Sequence, residues 1–168
     1  MGELHERKNH RVVIEALHKL KDSKIVYLLV GQGDLEKEYK WLVKSYSLES
    51  NVKFLGFQEN VNELYWASDC FVHPSTREGF GIAPMEAMAA GLPVIVSNVN
   101  GIKDYTKHKD TGYCIEPKSV DAWAEAIYSM KKNYIFRKKC ALQNRKIARK
   151  YSVTKSQNIV KKVYADME

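Results

Sequence analysis

No cysteine of this chain has a second one nearby: Cys70, Cys114 and Cys140 are widely spaced and odd in number. Without a Cys-x-x-Cys pair, neither a zinc site nor a disulfide framework is indicated. The longest apolar runs, such as Ile25 to Val30, are far too short to span a bilayer. No charged start, apolar stretch and cleavage site opens the chain, so no secretory leader is expected and a reducing cytoplasm is the expected compartment. No internal repeat, low-complexity stretch or flexible linker interrupts the sequence, and 168 residues suit one domain spanning 1–168. A Ser/His/Asp or Cys/His nucleophile arrangement is not legible either.

Acidic residues are missing from one long stretch. Lys131 to Lys162 holds twelve Lys or Arg and no Asp or Glu, leaving fifteen basic against twenty acidic residues elsewhere. The overall net charge of +7 is therefore a basic tail on an acidic body. Such a tail can mark an anionic partner such as lipid headgroups, although a solvated face of terminal helices is the reading the sequence favours. No RNA-binding signature or aromatic platform accompanies the charge, so nucleic acid is not expected as a partner.

What is present alternates between two periodicities. Val12, Val13, Ala16, Leu17 and Leu20 recur at helical spacing and predict an amphipathic helix over Arg7 to Lys21. Ile25 to Val30 is a continuous apolar run ending in Gly31-Gln32-Gly33, the pattern of a strand buried on both faces. Leu35, Tyr39, Leu42 and Tyr46 give a second helix, and Val52 to Leu55 a brief strand closed by Gly56. Asn60 with Glu63 reads as a capping box for a helix carrying Val61, Leu64 and Tyr65. Further strands are expected at Cys70 to His73, Pro93 to Ser97 and Gly112 to Ile115, with helices at Pro84 to Ala90 and Val120 to Met130. The basic remainder, from about 131, reads as one or two more helices. Strands alternating with helices imply an α/β fold, a doubly wound parallel sheet whose ligand sits beyond the carboxyl ends of the strands.

The richest chemistry lies in the fifteen residues from Glu78 to Leu92. Two carboxylates, Glu78 and Glu86, flank a glycine turn that opens a helix. The free N–H groups and dipole of that helix start favour an anion. Carboxylates beside an anion hole would repel phosphate, so they are read as acceptors for sugar or ribose hydroxyls. Glu86 falls near the third helical position, where a carboxylate is also common as a dipole partner. Glu78 beside Arg77 could make no more than a surface ion pair worth ~0–1 kcal/mol. Together with the turn, both read as parts of a nucleotide-sugar site. His73, next to Pro74, reads as a half-buried structural histidine, and Tyr39, Trp41, Tyr65, Trp66 and Trp123 as packing.

These pieces, in this order, resemble the C-terminal, nucleotide-sugar-binding half of the group 1 glycosyltransferases, retaining enzymes of GT-B fold. The likeness is carried by Gly2-Glu3-Leu4 with Lys8-Asn9-His10, by Val30 to Leu35, by Val52 to Phe57, by the Glu-x7-Glu pair Glu78 and Glu86, and by Gly101 to Asp104. The resemblance implies that Glu86 holds ribose hydroxyls and that Glu78 contacts the donor sugar. It implies that the backbone of Gly81, Ile82 and Ala83 lies against the sugar and diphosphate, with Lys8 neutralising the diphosphate. Gly56, Phe57 and Gln58 would border the base, and Gly31 and Gly33 form the family's Gly-x-Gly turn. Catalysis then rests on Glu78 and Lys8 without a metal or other cofactor, and no Asp-x-Asp metal motif occurs.

Two departures qualify the likeness. Many members carry an arginine where this chain has Glu3, so Arg7 must substitute or phosphate binding weakens. The family also has a central strand before Gly-x-Leu, in the order 3-2-1-4-5-6, and here the chain starts at Met1. A sheet with a slot in its middle is therefore expected, since strands sit roughly 4.8 Å apart and its neighbours cannot bridge the gap unmoved. The expected function is donor binding and sugar transfer to a glycan or lipid-linked acceptor, with the N-terminal acceptor domain absent here and supplied from elsewhere. The basic tail would suit the inner membrane face. A non-catalytic nucleotide- or partner-binding module is the alternative.

Overall fold

The computed structural model describes residues 2–155 together with Gln157, Lys161 and Tyr164; Lys162 and its neighbours in the basic tail lie outside the described residues. A 3-10 turn (Glu6–Lys8) leads into α1 (His10–Leu20), β1 (Tyr27–Val30), α2 (Glu36–Ser45), β2 (Val52–Gly56), α3 (Val61–Trp66) and β3 (Phe71–His73). Then follow α4 (Ile82–Ala90), β4 (Val94–Ser97), β5 (Gly112–Ile115), α5 (Val120–Lys132), α6 (Tyr134–Ala148) and a second 3-10 turn (Arg149–Tyr151). Every strand pair is parallel. The predicted order of elements is the observed one.

The first helix begins later than its periodicity predicts. Asn9 takes a left-handed conformation (φ 52°) between the 3-10 turn and α1, so Lys8 lies on a separate short turn. The Asn9 amide spends its hydrogens on the carbonyls of Pro74 (3.1 Å) and Pro117 (2.9 Å). That ties the turn to the loops after β3 and β5. Asn60 differs from expectation as well: its amide donates to the Glu63 carboxylate at 3.0 Å instead of capping the backbone of α3.

The sheet is divided. One part pairs β1 with β2, Tyr27 opposite Val52 and, after a register shift, Val30 opposite Gly56. The other runs β3-β4-β5, with β4 in the middle and buried along its whole length. Between β1 and β3 lies a cavity of about 490 Å³, lined among others by Tyr27, Leu28 and Val30 on one side and Phe71 and Val72 on the other. The sheet thus has the central slot that was expected. The slot also explains why Tyr27 and Leu28 are only half-buried, although the sequence predicts burial on both faces.

Helices cover both faces of this divided sheet. Ile95 of β4 packs in a cluster with α1, α2 and α5, while its neighbours Val94 and Val96 pack with α4, Ile102 and Tyr105. The alternation is the period-two geometry of a strand. Trp123 of α5 is fully buried and donates its indole N–H to the Glu116 carbonyl. Helix α6 is anchored by Asn144, whose buried amide bonds the carbonyls of Leu92 (2.7 Å) and Thr111 (2.9 Å) just before β4 and β5.

Candidate functional site

At the carboxyl ends of β1 and β2 the chain folds tightly upon its own start. The Gly2 N–H donates to the Val30 carbonyl (3.0 Å), and the Leu4 N–H to that of Gln32 (2.9 Å). Gly31 has φ of +130°, and a side-chain carbon there would lie 2.0 Å from the Gly2 carbonyl oxygen. At Gly33 it would lie 2.5 Å from the Leu4 carbonyl. Both glycines therefore admit the 2–4 segment. A crevice of about 370 Å³ opens beside it, lined by Gly2, Glu3, Gln32, Phe57, Gln58 and Val61 among others. Phe57 is 70% exposed there and presents a flat apolar surface to the crevice.

Lys8 reaches over Gly2, its Cε 3.4 Å from where a side chain on that glycine would start. Its Nζ donates to Glu78 Oε1 at 2.5 Å. The same oxygen lies 3.0 Å from His73 Nε2 and accepts from Ser75 Oγ at 2.9 Å. Arg7 stands 3.6 Å from the other oxygen, Oε2. The Glu78 carboxyl is consequently held well below the usual carboxylate range, first by His73 and then by Lys8 and Ser75, against the opposing effect of burial. Burial is the main cause that lowers His73 and keeps it neutral. A neutral ring facing a carboxylate must carry its proton on Nε2, so His73 donates. Glu78 is thus an ionised group with one oxygen saturated by donors and the other turned toward Arg7.

The glycine turn after Glu78 is braced from below. A side-chain carbon on Gly101 (φ +82°) would fall 1.4 Å from the Gly79 carbonyl oxygen, so the loop after β4 presses on the turn's backbone. The Tyr105 hydroxyl donates to the carbonyls of Phe80 (2.8 Å) and Gly81 (3.1 Å). Gly81 (φ 77°) starts α4 without a side-chain cap, leaving the first-turn amides of Ile82 and Ala83 open to an anion. Ile82 is 70% exposed beside them. Glu86 is exposed one turn on, and its Oε2 accepts from the Tyr65 hydroxyl at 3.0 Å. Burial and the Glu86 charge both push the Tyr65 hydroxyl far above its ordinary pKa, so it remains a donor.

A family profile described as "Glycosyl transferases group 1" matches residues 1–147. The chain belongs to the group 1 glycosyltransferases. Among relatives of the group, the UDP-Gal:alpha-D-GlcNAc-diphosphoundecaprenol alpha-1,3-galactosyltransferase of Escherichia coli is 29% identical, over 99% of this chain and 44% of its own length. Among solved structures, Anabaena Alr3699/HepE in complex with UDP superposes with a TM-score of 0.90 at 26% identity, covering 98% of this chain and 47% of HepE. The C-terminal domain of LpcC, a group 1 family protein from Francisella tularensis, superposes at 0.81 with 27% identity, over 91% of this chain and 84% of that domain. The chain thus spans less than half the length of the E. coli and Anabaena relatives.

In this group 1 glycosyltransferase chain the expected residues converge. Gly31, Phe57 and Gln58 line the crevice with Gly2, which Lys8 approaches from outside the lining, and Gly56 adjoins Phe57. Lys8 touches Glu78, whose loop starts α4 with Gly81, Ile82 and Ala83, and Glu86 of that helix binds Tyr65 of α3. Val61, one turn before Tyr65 on α3, lines the crevice as well. Gly33 sits outside the lining, under Leu4. Helix α4 starts at Ile82, two residues before the sequence reading, so Glu86 is its fifth residue and lies beyond the reach of a capping role. Glu78 pairs with Lys8, 70 residues away, and not with Arg77. His73 (3% exposed), Ser75 and the Tyr65 hydroxyl were missed as site residues. His73 and Ser75 alternate at the carboxyl end of β3 and so share a side, a signal legible in the sequence.

Proposed function

We propose that this chain is the donor-binding half of a retaining glycosyltransferase, moving a hexosyl group from a nucleoside diphosphate to a glycan or lipid-linked acceptor. The observation that carries it is the direct contact of Lys8 and Glu78 beside the uncapped start of α4. One cation and a row of free amides there face a carboxylate that has an oxygen to spare. A donor's diphosphate draws Lys8 and the amides of Ile82 and Ala83, while Glu78 accepts from sugar hydroxyls. Arg7 supplies a second positive charge where Glu3 cannot. Glu86, oriented by Tyr65, accepts from the ribose diol, and Gly56, Phe57 and Gln58 border the base. The acceptor hydroxyl attacks the anomeric carbon from the face the diphosphate leaves, its proton passing to a phosphate oxygen as the carbon–oxygen bond breaks. Catalysis is electrostatic support of that leaving group, and no metal is required.

The UDP and UDP-glucose complexes of HepE and the UDP-Gal donor named for the E. coli relative make uridine diphosphate the first ligand to try. That relative's diphosphoundecaprenol-linked acceptor supports a lipid-linked one here, held by an acceptor half that further polypeptide supplies. Calorimetric titration with UDP, GDP and ADP tests the site on this chain and on Glu86→Ala. Loss of the charged ribose contacts lowers affinity about tenfold to a hundredfold. Equal affinity of both proteins for the best nucleotide refutes the ribose assignment. Affinity that needs magnesium refutes the metal-free diphosphate pocket.

A further inference from the structure

We propose that the outer face of α6 is a docking ridge for an anionic lipid surface. Ile135, Lys138, Lys139, Leu142 and Lys146 recur at steps of three and four and share one side of the helix, opposite the buried Cys140, Asn144 and Ala148. All five are exposed, Ile135 to 74% and Leu142 to 62%. Among the described residues, none of these lysines has a carboxylate within ion-pair distance; Lys138 instead sits 4.7 Å over the Tyr134 ring. Arg149 and Lys150, both exposed, extend the charge past the helix end. Apolar side chains two turns apart with cations between them match the depth profile of a membrane interface, hydrocarbon below and phosphate above. A nucleic acid would satisfy the lysines and leave Ile135 and Leu142 in water. The charge complement is with anionic headgroups, since the excess of basic residues lies in this C-terminal stretch and the rest of the chain holds more acidic than basic residues.

Arg137 at the start of α6 lies 3.9 Å from Asp69, before β3, whereas Tyr151 beyond its end packs 5.6 Å from Phe80 in the glycine turn. The helix therefore runs along the amino ends of the strands as far as Asn144, bonded to Leu92 and Thr111, and only the chain past its end turns to the candidate site at Tyr151. The inference does not depend on what nucleotide, if any, the site takes.

Co-sedimentation with phosphatidylcholine vesicles, with and without phosphatidylglycerol, tests it at rising salt. The protein is expected on the mixed vesicles, weakly or not at all on the neutral ones, and to leave as salt rises. Lys139→Glu/Lys146→Glu lowers partitioning by about twentyfold or more, at roughly fivefold for each surface charge lost. Lys37→Glu/Lys53→Glu, with the same net charge, is expected to lower it far less. Ile135→Ser/Leu142→Ser weakens binding severalfold at unchanged charge. Thermal unfolding and nucleotide affinity should match the parent in every variant. Four outcomes overturn the proposal: no binding to either vesicle, equal binding to both, equal loss in the two charge-reversed pairs, or tighter binding to duplex DNA at matched salt.

Discussion

Glu78→Ala removes the acceptor of three donors at once, and the size of the penalty follows from their burial. Glu78 is 8% and Lys8 16% exposed. Removing one partner of a fully buried ion pair costs ~3–5 kcal/mol. Lys8 can turn to water once released, but the His73 N–H cannot, so about 2–3 kcal/mol is expected. Glu78→Gln keeps a carbonyl for Lys8 or His73 and should lose about 1–2 kcal/mol. Urea unfolding followed by far-ultraviolet circular dichroism measures both, with Lys8→Met and the Lys8→Met/Glu78→Ala double variant completing a cycle. The double variant should be more stable than the sum of the singles by about 1–2 kcal/mol. The pH dependence has a definite sign, because the folded carboxyl titrates well below its unfolded value. Its contribution is whole above an unfolded pKa near ~4.3 and is lost as pH falls toward the lower folded value. The gap between parent and Glu78→Gln should thus persist at mildly acidic pH and close only in stronger acid. Additive singles, with coupling below ~0.5 kcal/mol, would refute the view that Lys8 and Glu78 form one charged unit.

His10 is buried with its Nδ1 2.8 Å from the Tyr27 hydroxyl, and burial lowers its pKa from 6.5 to about 3. The unfolded chain therefore binds a proton that the fold excludes, and stability falls by about 2 kcal/mol between pH 8 and pH 5 on this account alone. His10→Gln should flatten that slope in urea titrations; an unchanged slope places the titrating group elsewhere. Gly101→Ala forces a side chain onto the Gly79 carbonyl at a left-handed position, so at least about 1–2 kcal/mol of stability is lost. Binding of nucleotide sugar should fall with it, and parent-like melting and affinity would show that the turn is not braced there. Tyr65→Phe leaves Glu86 without its donor, and nucleotide affinity should drop about three- to tenfold by calorimetry. Amide hydrogen exchange should find the interior strand β4 better protected than β1 and β3, which border the slot. Equal protection would mean that the slot's edges are sealed.

The order of elements along the chain was readable because each parallel strand is a short apolar run bounded by Gly or Pro, whereas the divided sheet was expected only through the family likeness. Boundaries were less readable at α4. Pro84 suggests a first helical residue, yet it is the third, since all of the first turn lacks intrahelical partners for its N–H groups and tolerates a proline equally. Lys8 and Glu78 could be joined only through a family likeness, because nothing in local spacing brings together residues 70 apart. Tyr65 was hidden by its spacing, which serves packing, while its hydroxyl serves Glu86.

The glycines carry a different lesson. Gly31, Gly33, Gly101 and Gly112 each lie where a side-chain carbon would strike backbone at 2.5 Å or less, so each is explained by packing before any ligand is considered. A glycine-rich strand end is therefore equally consistent with a cradle for phosphate and with a tight crossing of loops. Gly81 differs: its side-chain position meets side chains alone, the Tyr105 hydroxyl at 3.0 Å and Ile102 and Pro84 at 3.5 Å, and it opens a helix with no cap. What separates the two readings is charge. Tight loop crossings need no ions, whereas here Arg7 and Lys8 each come within 4 Å of an ionised Glu78 that also faces a neutral buried histidine. Gathering ionised groups costs desolvation that packing alone does not require, which is why such clusters concentrate at functional sites.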